Sequence, residues 1–200
     1  MNIFILSNEI NPAKHYHDQA ISHIDRHVVK MIAESTQMLV TALTFGKLPN
    51  MPTYVPDNVA QVPCRPLAAG MSKHPCTAWT SESLIHFNYL TRLAIALCQE
   101  HQYRYPLSPE HTYYRWLRNV GKMLDAMSLT IDTPLPRNFA VAVKSVALRS
   151  TDTPHHSAVV IYRDYYVQDK LNFSTWKGRA KQIWFLMREE ELVASNTHYV

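Results

Sequence analysis

Glycine is scarce in this chain, with only 4 residues among 200. Loops that cradle phosphate groups depend on glycine, because only a bare backbone can approach a phosphate closely. Neither GxGxxG nor GxxxxGK[ST] occurs anywhere in the sequence. We therefore expect neither a dinucleotide-binding enzyme nor a P-loop nucleotide hydrolase.

Cysteine and long apolar runs are also in short supply. The three cysteines are an odd number without CxxC spacing, which predicts reduced thiols and argues against a disulfide framework or a cysteine-bound zinc ion. The longest apolar runs, such as Leu93 to Cys98, are far too short to span a bilayer, and the N-terminal residues lack the basic start and cleavage site of a signal peptide. These absences favour a cytoplasmic protein without a membrane partner.

The remaining composition is typical of one folded domain. An apolar content of 46% in 200 residues can bury a real core, and the formal charge of +4 is compatible with a polyanionic partner without requiring one. His15-x-His17 and the His23/His27 pair resemble metal-ligand spacings, but no HExxH motif completes a set. The sequence therefore predicts no metal and no cofactor.

Helical periodicity predicts an all-α single domain over residues 1–200. Asn11 is the predicted N-cap of a short first helix, with Pro12 at its first helical position. The other predicted helices run from about Ile24 to Thr44, Cys76 to Tyr103, Ser108 to Met127, His156 to Lys170 and Gly178 to Glu190. Six prolines in residues 47–75 predict a long ordered loop or lid, and residues 155–190 are predicted as aromatic and basic helices. The sequence leaves the structure of two segments undecided. Residues 3–6 could be a strand or an apolar plug, and residues 129–154 could contain a strand or be an extended loop.

One predicted helix carries a narrow polar stripe. In residues 25–41, DRHVVKMIAESTQMLVT, spacings of three and four place on one line His27, Lys30, Glu34, Gln37 and Thr41. The positions around them are apolar, small or hydroxylated, so the polar arc covers only about a quarter of the helix circumference. Either the stripe faces a pocket, or it is the solvated side of a central helix on which Lys30 and Glu34 form a surface ion pair.

Further candidate contacts follow the proline-rich segment. His74-Pro75 stands at a helix start, where free N–H groups favour an anion or a polar substrate group, although it could merely cap the helix. Trp79, Asn88 and Arg104 come later in the same predicted helix. Trp79 also suits the core, and Arg104 could simply form a surface ion pair with Glu100.

Near the C-terminus, residues 161–179 interleave aromatic and basic side chains. Such a pattern suits nucleic acid, since rings stack on bases while cations meet phosphates. The candidate contacts are Tyr162, Arg163, Tyr166 and Lys170. Helical spacing of Tyr162, Tyr166, Asp169 and Phe173 is equally compatible with packing against the core.

These residues resemble the pyrimidine-dimer DNA glycosylase family of the endonuclease V type, with its bacterial and phage relatives. The resemblance covers about half of the chain and rests on Asp25-Arg26-His27, Lys30, Glu34, Gln37, His74-Pro75, Trp79 and the helix that ends near Arg104. The segment from Tyr162 to Trp176 is also similar in phage-type relatives. A phage or mobile-element origin is therefore expected, with the host cytoplasm as the location.

What the resemblance implies is a helical endonuclease V-like core and cleavage of the N-glycosidic bond of damaged or modified bases in DNA, with possible lyase activity. Glu34 is the implied general acid/base, beside an N-terminal amine, here that of Met1, which attacks C1′ to form a Schiff base. The familiar enzyme exposes a small residue there, whereas this chain begins Met1-Asn2. His27 joins the catalytic set, with Lys30, Gln37 and His74 around the substrate.

The implied partner is DNA or a nucleotide, and the expected assembly is a monomer or a small homo-oligomer. Two other functions stay open at this point. The first is an enzyme that processes or modifies a nucleotide or a hypermodified pyrimidine base without cleaving the glycosidic bond. The second is a non-catalytic phage counter-defence protein that binds a nucleotide or a host partner.

Overall fold

Helices account for most of the structure, a computed structural model that describes residues 1–45, 48–52, 55–127, 135–143 and 150–197. Its α-helices are α1 (Pro12–Ser22), α2 (Asp25–Phe45), α3 (Asp57–Ala60), α4 (Pro75–Glu82), α5 (Leu84–Arg104), α6 (Tyr114–Ala126), α7 (His155–Lys170) and α8 (Ile183–Thr197). Short 3-10 turns cover Ala69–Lys73 and Leu171–Phe173. The prediction of a mainly helical single domain is confirmed.

Local capping explains where the first helices begin. The Asn11 side chain accepts a hydrogen bond from the Ala13 backbone N–H at 3.0 Å, and Pro12 occupies the first helical position, as the sequence predicts. Helix α2 spans Asp25–Phe45, within one residue of the predicted bounds at each end. Both helices therefore follow from signals that lie within the helix or directly before it.

Three predicted helix bounds are wrong. The predicted helix from Cys76 to Tyr103 is two helices, because Ser83 is extended (φ −155°, ψ 158°) and its hydroxyl caps α5 by accepting from the His86 backbone N–H. Helix α6 begins at Tyr114 rather than Ser108, after a turn in which the Ser108 N–H donates to the Tyr105 carbonyl. Helix α8 begins at Ile183, because Gly178 turns the chain with a positive φ of 68°.

The structure decides between the alternatives for residues 3–6 and for part of residues 129–154. Strands β1 (Asn138–Val141) and β2 (Ser150–Pro154) pair antiparallel, with Phe139 opposite Thr153 and an irregular register beyond Phe139. The other parts of the open segment, residues 129–134 and 144–149, lie outside the described residues. Residues 3–6 form no strand and are at most 3% exposed, so they are an apolar plug.

The core lies between α2 and α5, each 21 residues long, which pack against one another. Fully buried apolar side chains on these helices include Val28, Ile32, Leu39, Phe87 and Leu97. Helices α1, α4 and α6 pack around α5, and the hairpin contacts α4 and α7. Among the described residues, no helix is both long and apolar enough to cross a membrane.

Candidate functional site

The polar stripe of α2 begins inside an aromatic cluster. His27 is 6% exposed, its ring stacks on Phe4 with 4.6 Å between the ring centroids, and its Nδ1 is hydrogen-bonded to the Tyr166 hydroxyl at 2.6 Å. Burial, assisted by the charge of His23 and then by those of Lys170 and Lys30, lowers the pKa of His27 to about 3. His27 is therefore a neutral, packed ring, and its predicted catalytic role would have to be exerted without a positive charge.

Lys30 and Glu34 occupy the middle of the stripe and form the ion pair that their spacing predicts. The Lys30 ammonium lies 3.2 Å from Glu34 Oε1. The Lys30 side chain is 63% exposed, whereas that of Glu34 is only 15% exposed. The carboxylate thus lies at the boundary between the core and solvent, while its partner extends into water.

The far end of the stripe is covered by the proline-rich segment. The Thr41 hydroxyl accepts a hydrogen bond from the Leu67 backbone N–H at 2.8 Å and donates one to the Gln37 carbonyl at 2.7 Å. Gln37 itself is half-buried. The stripe therefore runs from the aromatic cluster, past the carboxylate of Glu34, to a covering loop.

The start of the chain lies beside the beginning of α4. Asn2 Oδ1 is 3.5 Å from the Tyr162 hydroxyl, which also donates to the Ala140 carbonyl at 2.8 Å. The buried Cys76 thiol, in the first turn of α4, is hydrogen-bonded to the Ile3 backbone and to Tyr162. These contacts hold the first residues of the chain in a defined position.

Two opposite charges act on the Cys76 thiol. Burial raises the pKa of this thiol to about 12, the N-terminal amine lowers it, and the Glu34 carboxylate raises it further. The charges of the amine and of the carboxylate thus both act on the thiol, with opposite effects on its pKa. The protonated, buried thiol is itself a poor nucleophile. The Cys76 thiol thus joins the first residues of the chain to the start of α4.

His74 is the N-cap residue of α4. Its Nδ1 accepts a hydrogen bond from the Cys76 backbone N–H at 3.3 Å, and its side chain is half-buried. The capping interpretation of His74-Pro75 is therefore confirmed. Because His74 adjoins the Cys76 region, a contact with substrate stays a prediction alongside the cap.

Trp79 and Asn88 lie inside the protein. Trp79 is fully buried, its indole N–H donates to the Asn138 carbonyl at 3.0 Å, and its ring stacks on His86 with 4.2 Å between centroids. Asn88 is 2% exposed and accepts from Arg92 Nε at 3.1 Å. Their contacts are those of core residues, so a substrate would reach them only after rearrangement of the packing.

Arg104 is the centre of a buried charge network. Its Nε donates to Glu100 Oε1 at 2.6 Å and its Nη1 to Asp25 Oδ1 at 2.8 Å, while its side chain has no exposed area. Arg179 donates to the other oxygen of Glu100 at 2.7 Å. The predicted Glu100–Arg104 pair exists, but the alternative that it is a surface ion pair is wrong. The guanidinium binds protein groups rather than facing a cleft.

The C-terminal aromatic and basic segment divides between core and surface. Tyr162 and Tyr166 are fully buried, which agrees with the interpretation that they pack against the core. Arg163 is half-buried and donates to the Leu6 carbonyl at 2.8 Å. Lys170 is half-buried and lies with its Nζ 4.7 Å from the centroid of the Tyr165 ring. Of these four predicted contacts, the two cations are the more accessible.

Sequence reasoning missed Asp25, Cys76 and Arg179 as partners of the predicted site residues. Asp25 also accepts from the Lys177 backbone N–H at 2.9 Å, which ties α2 to the segment before α8. Cys76 directly follows His74-Pro75, and that adjacency is the one signal that could have drawn attention to it. The other two contacts join residues far apart in the chain and leave no local pattern.

Among the described residues, no group of three or more histidine, cysteine, aspartate or glutamate side chains is placed to hold a metal ion. Comparison with known proteins yields no relative: no protein-family model matches the chain, and no curated protein or solved structure matches it. Function is therefore inferred from the positions of Glu34, the N-terminal amine and the cations around them.

Proposed function

We propose that this protein is a glycosylase-type enzyme that acts on damaged or modified bases in DNA, with Glu34 as the general acid/base. The observation that supports the proposal is that the charges of the Glu34 carboxylate and the N-terminal amine both act on the pKa of the same buried thiol, Cys76, which is hydrogen-bonded to the Ile3 backbone. A carboxylate and a primary amine near one another are the two groups that this chemistry uses.

The immediate surroundings of Glu34 support this role. Lys30 lies 3.2 Å from the carboxylate, and 15% of the Glu34 side chain is exposed to solvent. Helix α2 fixes the backbone of both residues, because its opposite side is buried in the core. A carboxylate fixed on a rigid helix suits proton transfer to and from a bound nucleotide.

The proposed reaction begins at C1′ of the nucleotide. The unprotonated N-terminal amine forms a bond to C1′ while the bond between C1′ and the base breaks, and the base leaves with the bonding electrons and takes up a proton from solvent water. Glu34 accepts the proton that the attacking nitrogen loses and returns it to O4′ as the sugar ring opens to the Schiff base. If water attacks instead, Glu34 serves as its general base and cleavage occurs without a covalent intermediate.

A panel of duplexes that carry damaged or modified bases tests the proposal. Glu34→Gln is expected to lower glycosidic cleavage by about 100-fold or more, because the amide cannot exchange the proton. The matched control is Glu189→Gln, since Glu189 is also paired with a lysine, Lys181, but on α8. That variant should cleave at the rate of the unmodified protein. Cleavage that survives Glu34→Gln, or intact substrate across the whole panel, would disprove the proposal.

Borohydride trapping distinguishes attack by the N-terminal amine from attack by water, because only the amine forms a Schiff base that borohydride can reduce. The unmodified protein should be trapped on the DNA, whereas one extra N-terminal residue, which displaces the amine, should abolish trapping and leave only hydrolytic cleavage. Trapping that survives the extension would show that the amine of Met1 is not the required nucleophile. Mass spectrometry of the released nucleosides distinguishes cleavage from modification of an intact nucleotide.

A further inference from the structure

The surface beside Glu34 carries cations that contact aromatic rings. The Arg26 guanidinium lies 4.8 Å from the centroid of the Phe173 ring. The Lys170 ammonium lies 5.7 Å from the same centroid and 4.7 Å from that of Tyr165. The end of α7 and the turn after it therefore place two rings against cations from two different helices.

Lys30 belongs to the same surface. It follows Arg26 by four residues on α2, so the two side chains lie on one face of the helix. The charges of both Lys30 and Lys170 also lower the pKa of the His27 ring. Arg26 is exposed, and the Lys30 side chain is 63% exposed.

Among the residues that the structure describes, only one of the three cations of this surface is paired with an acidic group. Within the described part of the chain, Glu34 is the one carboxylate that pairs with any of the three cations. Asp25 is bound by Arg104 and by the Lys177 backbone N–H, and Asp164 is paired with Arg188. Asp169 is exposed on α7, one residue before Lys170, and points around the helix by about 100° from it.

Contact with a ring restrains a cation without cancelling its charge. Phe173 and Tyr165 therefore reduce the freedom of the Arg26 and Lys170 side chains while their positive charge stays available to an anion. An anion that binds to restrained cations loses less side-chain entropy than one that must order them.

We infer that Arg26, Lys30 and Lys170 form a binding surface for the sugar–phosphate backbone of DNA, with Phe173 and Tyr165 as the residues that position two of the cations. The inference rests on the proposed function in one respect: the Lys30–Glu34 pair joins this surface to the catalytic carboxylate. A polymer with a phosphate at every nucleotide can contact all three cations while one nucleotide lies at Glu34.

Binding of an undamaged, fluorescently labelled duplex over a series of salt concentrations tests the inference. Arg26→Gln and Lys170→Gln should each reduce the slope of log Kd against log salt concentration by about 0.9, because each removes one phosphate contact. Arg118→Gln is the matched control: Arg118 also lies over a ring, that of Tyr114 at 5.7 Å, but on α6. It should leave both affinity and slope unchanged.

Phe173→Leu tests the positioning role of the ring. This variant keeps all three charges, so the salt slope should stay the same while the affinity falls about 2- to 5-fold. Melting curves of each variant, followed by circular dichroism, establish that the fold is intact. A slope that changes with Phe173→Leu as much as with Lys170→Gln would overturn the positioning role.

The undamaged probe separates this inference from the proposed activity, because binding requires no chemistry. Selective loss of binding in Arg26→Gln and Lys170→Gln supports the surface even if no base is ever cleaved. The inference is overturned if the slopes do not change, if Arg118→Gln has the same effect, if the unmodified protein does not bind DNA, or if polyglutamate binds as tightly as DNA.

Discussion

Two ion pairs of this protein share the spacing i,i+4 and lie in opposite environments. Lys30 and Glu34 on α2 are 3.2 Å apart, with side chains 63% and 15% exposed. Glu100 and Arg104 on α5 are 2.6 Å apart, with side chains 3% and 0% exposed. The sequence pattern is the same, so the difference shows that helical spacing predicts a pair but not the medium around it.

The buried pair survives burial because further partners surround it. Burial raises the pKa of Glu100, but the hydrogen bonds from Arg179 and Arg104 and their charges outweigh burial and lower it below its usual value. Arg104 also binds Asp25 and the Ile21 carbonyl. Two acids and two bases thus balance one another, whereas an isolated buried charge would cost several kcal/mol. In the exposed Lys30–Glu34 pair, water solvates the charges instead.

The largest effect on stability is expected from Arg104→Met. This change leaves Glu100 paired only with Arg179 and removes the buried partner of Asp25, so the free energy of unfolding should fall by about 3–5 kcal/mol. Urea denaturation measures the loss. Arg118→Met, at an exposed position on α6, is the control and should change the free energy by less than about 0.5 kcal/mol. A loss below about 1 kcal/mol in Arg104→Met would contradict the comparison.

Acid should unfold the protein through buried histidines near this network. Burial lowers the pKa of His23 to about 4, with Arg104 adding to the shift, and burial also lowers the pKa of His15 to about 4. The unfolded chain binds these protons near pH 6.5 and the folded protein only near pH 4. Stability is therefore complete above pH 6.5 and falls as the pH drops between these values, by about 1.4 kcal/mol per pH unit for each histidine.

Urea denaturation at pH 7, 6 and 5 measures this dependence. His23→Gln should flatten it by about 1.4 kcal/mol per pH unit, because one proton-binding group is removed. His17→Gln, at an exposed position on α1, serves as the control and should leave the dependence as it is. An unaltered slope in His23→Gln would show that this ring does not resist protonation in the folded protein.

The smallest effect on stability is expected from Lys30→Gln. The ammonium is mostly solvated, so its removal should change the free energy of unfolding by no more than about 1 kcal/mol. The same urea titration, repeated at low and high salt, should show that even this change shrinks as salt screens the pair. A loss similar to that of Arg104→Met would mean that the two pairs are energetically alike.

Local signals predicted the helices well where the decisive residues are neighbours in sequence. The bounds of α2 and the Asn11 cap follow from periodicity and from one side chain that bonds the adjacent backbone. The break at Ser83 escaped prediction because apolar residues on both sides continue a helical pattern across it. The start of α8 was placed too early because the aromatic pattern does not reveal the turn at Gly178.

In the candidate site too, the sequence predicted the features that lie within one helix and missed the contacts between distant segments. The line of Lys30, Glu34 and Gln37 is a property of one helix and could be read from spacing. The ring stack of His27 on Phe4 and the buried network of Arg104 depend on residues from other parts of the chain. Spacing along one helix carries no information about such partners.

The sequence by itself determined that the protein is mainly helical, that α2 carries a polar stripe, and that two acid–base pairs have helical spacing. These features depend on the 3.6-residue repeat and on local caps. Only the tertiary structure decided that Arg104 is buried and Lys30 exposed, and that the charges of Glu34 and the N-terminal amine both act on the buried Cys76 thiol. Burial and charge proximity arise when distant segments pack together, and that packing sets which polar groups remain available to a substrate.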